Sequence, residues 1–333
     1  MTTVLLLHLL VATDPVTSVE FTTVAVPLPG MHGSASLDYF AAERAAGRVW
    51  IPEGTSGTVY VLDLATKKIV PVGGFGAGRP GPSAVSLGDG WAFVGNRRAA
   101  ELCAVNVRLL TKSACASLAA SSDGVAYVAS TKEVWVTSPG DRMLTIVDVH
   151  DPAHPKQTAQ VAVPGQPEGY AVDDARALFF TNLEDKNQTL AVDVRTRKVV
   201  QTWSAHCGAG GPRGLAYDGQ RQFLFVACTD GARVLDARID GNHDGPDGAL
   251  LSSLTVGAGV DNIDYLDATH RLYVAAGKAS RLSVAEVSNK GEIVQVALAP
   301  TAPGARVVVV AADGTAVVGD PTHGGVLVLS PVH

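Results

Sequence analysis

Four charged residues, Glu168, Arg213, Asp261 and Arg306, recur roughly 40–50 residues apart, each near the start of a similar stretch of text. If those stretches are copies of one structural unit, their charges converge on a common axis. Asn262 stands beside Asp261, and Asp-Tyr pairs occur at Asp38-Tyr39 and Asp264-Tyr265. His32, His206 and His323 fall in segments leading to the same positions. Carboxylates and amides suit Ca²⁺, and added imidazoles suit another divalent cation. Such an ion would polarise a carbonyl or phosphoryl oxygen and lower the pKa of its bound water. On that reading Glu168, Asp261, Asn262 and His32 hold the ion, while His206 or His323 shuttles protons in a hydrolase acting on lactones, esters or phosphotriesters. The two guanidiniums point to a different chemistry, the binding of a carboxylate or phosphate. A plainer alternative is that Glu168, Arg213, Asp261 and Arg306 pair with one another and line a polar channel.

A second, local constellation is Asp240-Gly-Asn242-His-Asp244-Gly245. It matches the first half of a calcium loop, in which acids and an amide converge while glycine permits the sharp turn. The bidentate Glu expected at the twelfth position is replaced by Leu251. A solvated acidic hairpin turn is the alternative.

The elements that must position these residues are repeated hairpins. The text TVYVLDLATKKIVPV from Thr58 recurs as LTIVDVHDPAHPKQTAQVAV from Leu144 and LAVDVRTRKVVQTW from Leu190, with looser copies from Leu102, Arg233 and Leu282. Each is a β-branched run, an Asp or Asn, a polar turn and a second β-rich run, which predicts a hairpin. Before each hairpin comes a Gly/Pro entry, a strand of small residues, a turn and an aromatic-rich strand. QPEGYAVDDARALFFTN from Gln166, GPRGLAYDGQRQFLFVAC from Gly211 and VDNIDYLDATHRLYVAAG from Val260 carry that pattern, and thinner versions begin at Ser36, Pro82, Asp123 and Ala305. Four antiparallel strands per unit and seven units predict an all-β fold, a seven-bladed β-propeller. The last unit lacks its fourth strand. VEFTTVAVP from Val19 resembles the outer-strand text elsewhere and is expected to complete that blade and close the ring. The propeller domain is therefore expected over residues 18–333, after a lead-in over residues 1–17.

The blade text VYVLDLATKKIV resembles the YVTN-type repeat propellers, a family of mostly bacterial proteins that are often exported. The resemblance covers nearly the whole chain and implies the fold. Propellers host binding, scaffolding and catalysis alike, so it implies no one activity.

Composition narrows the classes. Of 333 residues, 47% are hydrophobic and 17% charged, which suits a large buried core. A net charge of −6 with no basic run disfavours nucleic acid and basic-patch membrane binding. Val4 to Ala12 is apolar but too short to span a bilayer, and the first basic residue is Arg44, so a signal-like segment and a simple lead-in read equally well. Cys103, Cys115, Cys207 and Cys228 lack the CxxC spacing of a zinc ribbon. Cys103 with Cys115 and Cys207 with Cys228 fall where disulfides could form, which would favour a periplasmic or secreted location; buried thiols are the alternative. Neither a P-loop nor a G-x-S-x-G elbow is present. The leading expectation is a monomeric binding propeller whose channel mouth receives a small anionic or polar molecule, or a peptide. The metal-dependent hydrolase is the alternative.

Overall fold

The computed structural model describes residues 19–78, 80–239 and 246–332. The residues of the calcium-loop reading, Asp240, Asn242 and Asp244, lie outside the described residues, as does the lead-in. Seven four-stranded antiparallel sheets make up the fold. Six of them run through consecutive strands from the axis outward. The seventh takes its fourth strand from Phe21–Pro27, which pairs antiparallel with Gly325–Pro331, Phe21 opposite Pro331 and Pro27 opposite Gly325. We number the blades 1 to 7 from the sheet that begins at Ala41–Glu43.

Burial follows strand position. The second and third strands lie between neighbouring blades and are apolar on both faces, as in Leu178–Leu183, where every residue is buried. Outer strands face water on one side and alternate, as in Lys156–Ala162. Wedges of large side chains fill the inter-blade layers, Trp50, Trp135, Phe93, Phe179, Phe180 and Phe225 among them. Trp135 and Phe179 meet across blades 3 and 4 with ring centroids 5.1 Å apart.

The Asp or Asn repeated in each hairpin has a local task. Asp63 Oδ1 accepts from the Thr66 N–H at 2.8 Å, Asn106 Oδ1 from the Leu109 N–H at 2.9 Å, and Asp193 Oδ1 from the Thr196 N–H at 2.6 Å. These side chains cap the tight turn between third and fourth strands, satisfying amides the ladder leaves unpaired. A second device latches blade to blade on the far face. Asp218 and Arg221 of blade 5 pair at 2.6 Å, and the guanidinium also donates to the Val287 and Ser288 carbonyls and to the Tyr265 hydroxyl of blade 6. Asp173, Arg176 and Tyr217 repeat the arrangement between blades 4 and 5.

Both candidate cysteine pairs are disulfides, and not the buried thiols that were the alternative. Cys103–Cys115 ties the outer hairpin of blade 2, and Cys207–Cys228 ties the blade 4–5 connection to the second strand of blade 5. No helix of the described residues is long and apolar enough to cross a membrane.

Candidate functional site

Strand register decides which side chains face the channel mouth. In blade 4 the last residue of the second strand, Leu183, lies opposite Pro167. The matching pairs are Cys228 with Pro212 in blade 5, Ala276 with Val260 in blade 6 and Asn96 with Pro82 in blade 2. The isolated bridge between Leu37 and Glu53 is the blade 1 counterpart. The residue that follows each of these innermost partners is therefore equivalent: Asp38, Ser83, Glu168, Arg213 and Asp261. Asp123 and Arg306 occupy the same level in blades 3 and 7, since Asp123 meets Thr137 and Val308 lies opposite Val318.

Two backbone adjustments make this ring fit. A register shift separates Glu168 from Tyr170, and Gly169 adopts φ +70 there; a Cβ at Gly169 would lie 2.4 Å from the Arg213 carbonyl oxygen. At Gly214 a Cβ would lie 2.7 Å from Asn262 Oδ1. Near the axis the first strands crowd together, and glycine is what lets them approach.

The ring opens into a cavity of about 740 Å³. Charged side chains from all seven blades line it: Asp38, Asp123, Glu168, Arg213, Asp261 and Arg306 from the ring, with Arg97, Asp230 and Lys278 from the turns between second and third strands. Arg97 pairs with Asp38 at 3.3 Å and with Asp123. Arg306 pairs with Asp261 at 2.6 Å, and Arg213 pairs with Glu184. The Asn182 amide of blade 4 holds the Arg213 carbonyl and is itself fixed by the Thr189 hydroxyl at 2.7 Å. The expected mutual pairing is thus half present. Arg306 takes Asp261, but Arg213 turns to a neighbouring turn residue and leaves Glu168 to another partner.

That partner is Tyr39. Its hydroxyl donates to Glu168 Oε1 at 2.9 Å and accepts from the Gly169 N–H at 3.1 Å, and its ring stacks on Tyr170 at 5.4 Å. Tyr39 belongs to blade 1 and Glu168 to blade 4, as far apart as a seven-membered ring allows, so the tyrosine reaches across the channel. Enclosure perturbs the acids. Burial first, then repulsion from Asp261, pushes the Asp38 carboxyl up to about 7 against the opposing pull of Arg306 and Arg97. Glu168 is raised for the same two reasons, with the Tyr39 hydroxyl and Arg213 opposing. Burial and the Glu168 charge raise Tyr39 well above the ordinary phenol value. At Glu53, just outside the ring, burial is outweighed by N–H donors from Ser36, Ser56 and Thr55, which lower its pKa and fix the loop that delivers Asp38.

The remaining sequence candidates lie elsewhere. The two Asp-Tyr pairs are not equivalent: register matches Asp38 with Asp261, so Asp264 sits deeper along the channel. There it pairs with Arg44 at 2.8 Å and accepts from the Val310 N–H at 2.8 Å. Asn262 lies one residue below the ring, and its buried amide nitrogen has no hydrogen-bond partner. His32, His206 and His323 are not among the cavity-lining residues; His323 turns back onto Asp320 at 2.9 Å with an exposed ring. Arg97, Asp123, Asp230 and Lys278 were missed as site residues, and Tyr39 was named only as the neighbour of Asp38. Asp123 had a signal, since it precedes Glu168 by the interval that separates Glu168 from Arg213. Among the described residues, one group of three acid, His or Cys ligand atoms lies within 4.8 Å of one another: Glu101, Cys103 and Cys115. Its two sulfurs are already joined to each other.

The architecture has many solved counterparts. The β-propeller domain of Myceliophteria thermophila Cps50 (Swd1) superposes with a TM-score of 0.74 at 12% identity, over 94% of this chain and 99% of that one. A streptogramin B lyase structure gives 0.73 at 11% identity, over 94% and 98% of the two chains. Kuenenia stuttgartiensis hydrazine synthase gives 0.71 at 13% identity, over 92% and 98%. The likeness is one of fold alone. No protein-family model matches the chain, and no curated protein matches it in sequence. The likeness to YVTN-type repeats therefore rests on the blade text.

Proposed function

We propose that this protein is a binding propeller whose channel mouth receives a small anionic or polar ligand. One observation carries the reading: a cavity lined by charged side chains from all seven blades, in which cations remain available at the rim. Arg306 keeps 48% of its side chain exposed although it pairs with Asp261. Lys278 is exposed and forms no ion pair among the described residues. The lining holds five carboxyls against four cations, and the proton that Asp38 retains up to about 7 evens that count. An anion then meets Arg306 and Lys278 without a net opposing field. The metal-hydrolase alternative has less support, because the mouth carboxyls do not converge as a cage among the described residues and no histidine lines the cavity. Two disulfides favour an oxidising compartment, in keeping with the exported habit of YVTN-type propellers. The propeller exposes only the short outer strand of each blade as a sheet edge, which favours a monomer.

The test is calorimetric titration of the whole protein with acetate and inorganic phosphate, before and after chelation. Binding should survive the chelator and weaken at least tenfold in both Arg306→Ala and Lys278→Ala. Unchanged affinity in both variants would sink the reading, and so would binding that disappears with the metal.

A further inference from the structure

The mouth ring carries more carboxyls than its guanidiniums can neutralise. Arg306 takes Asp261 at 2.6 Å, and Arg213 takes Glu184. Arg97 serves two acids at once, Asp38 at 3.3 Å and Asp123. One guanidinium balances one carboxylate, so that trio has an acid too many. The charged groups facing Asp38 come from five other blades: Arg97 and Asp123 from blades 2 and 3, Glu168 from blade 4, and Asp261 and Arg306 from blades 6 and 7. Three are acids and two are cations, and each cation is shared with another acid. Lys278, Arg213 and Asp230 complete the charged lining of the cavity. The phenols of Tyr39 and Tyr170 stay neutral, since burial raises both.

A proton resolves the imbalance at Asp38. Burial and the Asp261 charge push its carboxyl up to about 7, against the shared pull of Arg306 and Arg97. A protonated carboxyl is a hydrogen-bond donor, which a carboxylate is not. Asp38 is placed to use that donor. Its Oδ2 faces Arg97, no hydrogen bond reaches its Oδ1 among the described residues, and 18% of its side chain opens to the cavity. Blades 7 and 1 are neighbours in the ring, so Asp38 stands beside Arg306, and each feels the other's charge. An anion at Arg306 therefore meets Asp38 either as a donor or as a repelling charge.

We infer that Asp38 binds the ligand as a neutral acid, its O–H donating to an oxygen of an oxyanion held by Arg306, so that the anion enters the mouth together with one proton. The inference rests on the binding reading and adds the residue that selects the ligand and the pH that controls it. Only the protonated mouth is competent. As pH rises through 7 the free protein loses that proton, and binding must restore it from solution. By reciprocity the bound anion strengthens the hold of Asp38 on its proton. The mouth thus captures oxyanions in acidic surroundings and releases them in alkaline ones.

The probes are acetate and sulfate, whose charges do not change between pH 6 and 8.5, titrated calorimetrically into the whole protein in buffers of different ionisation enthalpy. With the Asp38 carboxyl at about 7, its neutral fraction falls from about nine-tenths at pH 6 to about 3% at pH 8.5. Apparent affinity scales with that fraction, so it should drop at least tenfold, on the order of thirtyfold at most, over this range. Proton uptake per anion should rise from near zero at pH 6 toward one at pH 8. Asp38→Asn should abolish both the uptake and the pH dependence, and Glu168→Gln should keep them. Uptake that survives Asp38→Asn, or that disappears in Glu168→Gln, would overturn the assignment to Asp38. If both anions bind through Arg306 equally well at pH 6 and 8.5 with no uptake, the proton linkage is wrong and the binding reading stands. If neither anion binds at pH 6, both fall. Should Asp38→Asn fail to fold, the infrared band of a protonated carboxyl decides the matter: in Glu168→Gln at pH 8 it should grow as sulfate is added, and no growth would overturn the inference.

Discussion

Replacing Asp38 with Asn should flatten the loss of stability that the native protein suffers as pH rises through neutrality. The Asp38 carboxyl is pushed from 3.8 to about 7, chiefly by burial and then by the Asp261 charge. Between those two values the folded chain holds a proton that the unfolded chain has released. Stability from this site is therefore fully present below pH 4 and is lost as pH climbs through 7. At ~1.4 kcal/mol per factor of ten, the displacement is worth at most about 4 kcal/mol. The side chain keeps 18% exposure to the cavity and lies beside Arg97, so screening reduces the figure to roughly 2 kcal/mol. The replacement amide cannot ionise, and Arg97 retains Asp123, so the substitution strands no charge. Urea unfolding at pH 5, 6, 7 and 8 measures the effect. The native protein should lose about 1 kcal/mol more than Asp38→Asn across that range, because the part of the displacement below pH 5 lies outside it, with a shallower slope left from Glu168, which is raised in the same direction. Parallel pH profiles for the two proteins would refute the claim that Asp38 is a neutral acid in the folded channel.

Two further outcomes follow from the packing. Arg221→Ala should cost about 3–5 kcal/mol in unfolding free energy, because it strands Asp218, whose side chain is 2% exposed. Adding Asp218→Asn to that variant should recover part of the loss, and strictly additive costs would argue against the latch. Reducing the disulfides, which span 12 and 21 residues, should lower stability by about 3 kcal/mol each. Coincident urea curves with and without dithiothreitol would exclude that contribution.

The blades were legible because their hairpins carry period-2 apolar runs around an Asx-capped turn, a pattern written in adjacent residues. Four ring residues were legible for the same reason, since blades 4, 5, 6 and 7 align through their entry text. Register was harder to read. SLDYF near Asp38 resembles NIDYL near Asp264 more than it resembles VDN near Asp261, yet the bridge between Leu37 and Glu53 matches Asp38 with Asp261. Likeness of text followed the side chains, whereas the shift between Val260 and Ile263 moved the backbone. Partner choice was not legible at all. Arg213 meets Glu184 and Glu168 meets Tyr39 because turns from other blades arrive at the mouth, and no local spacing encodes that arrival.

The pairing of Phe21–Pro27 with Gly325–Pro331 joins residues as much as 310 positions apart, as at Phe21 and Pro331. Every other sheet is built from consecutive strands, so six blades can zip up from nearby chain at small entropic cost. The clasp cannot, and its hydrogen bonds are expected to be the last to form. Under a pulling force the order reverses: the clasp is the seam that opens first, exposing blade 7 while the other six still hold.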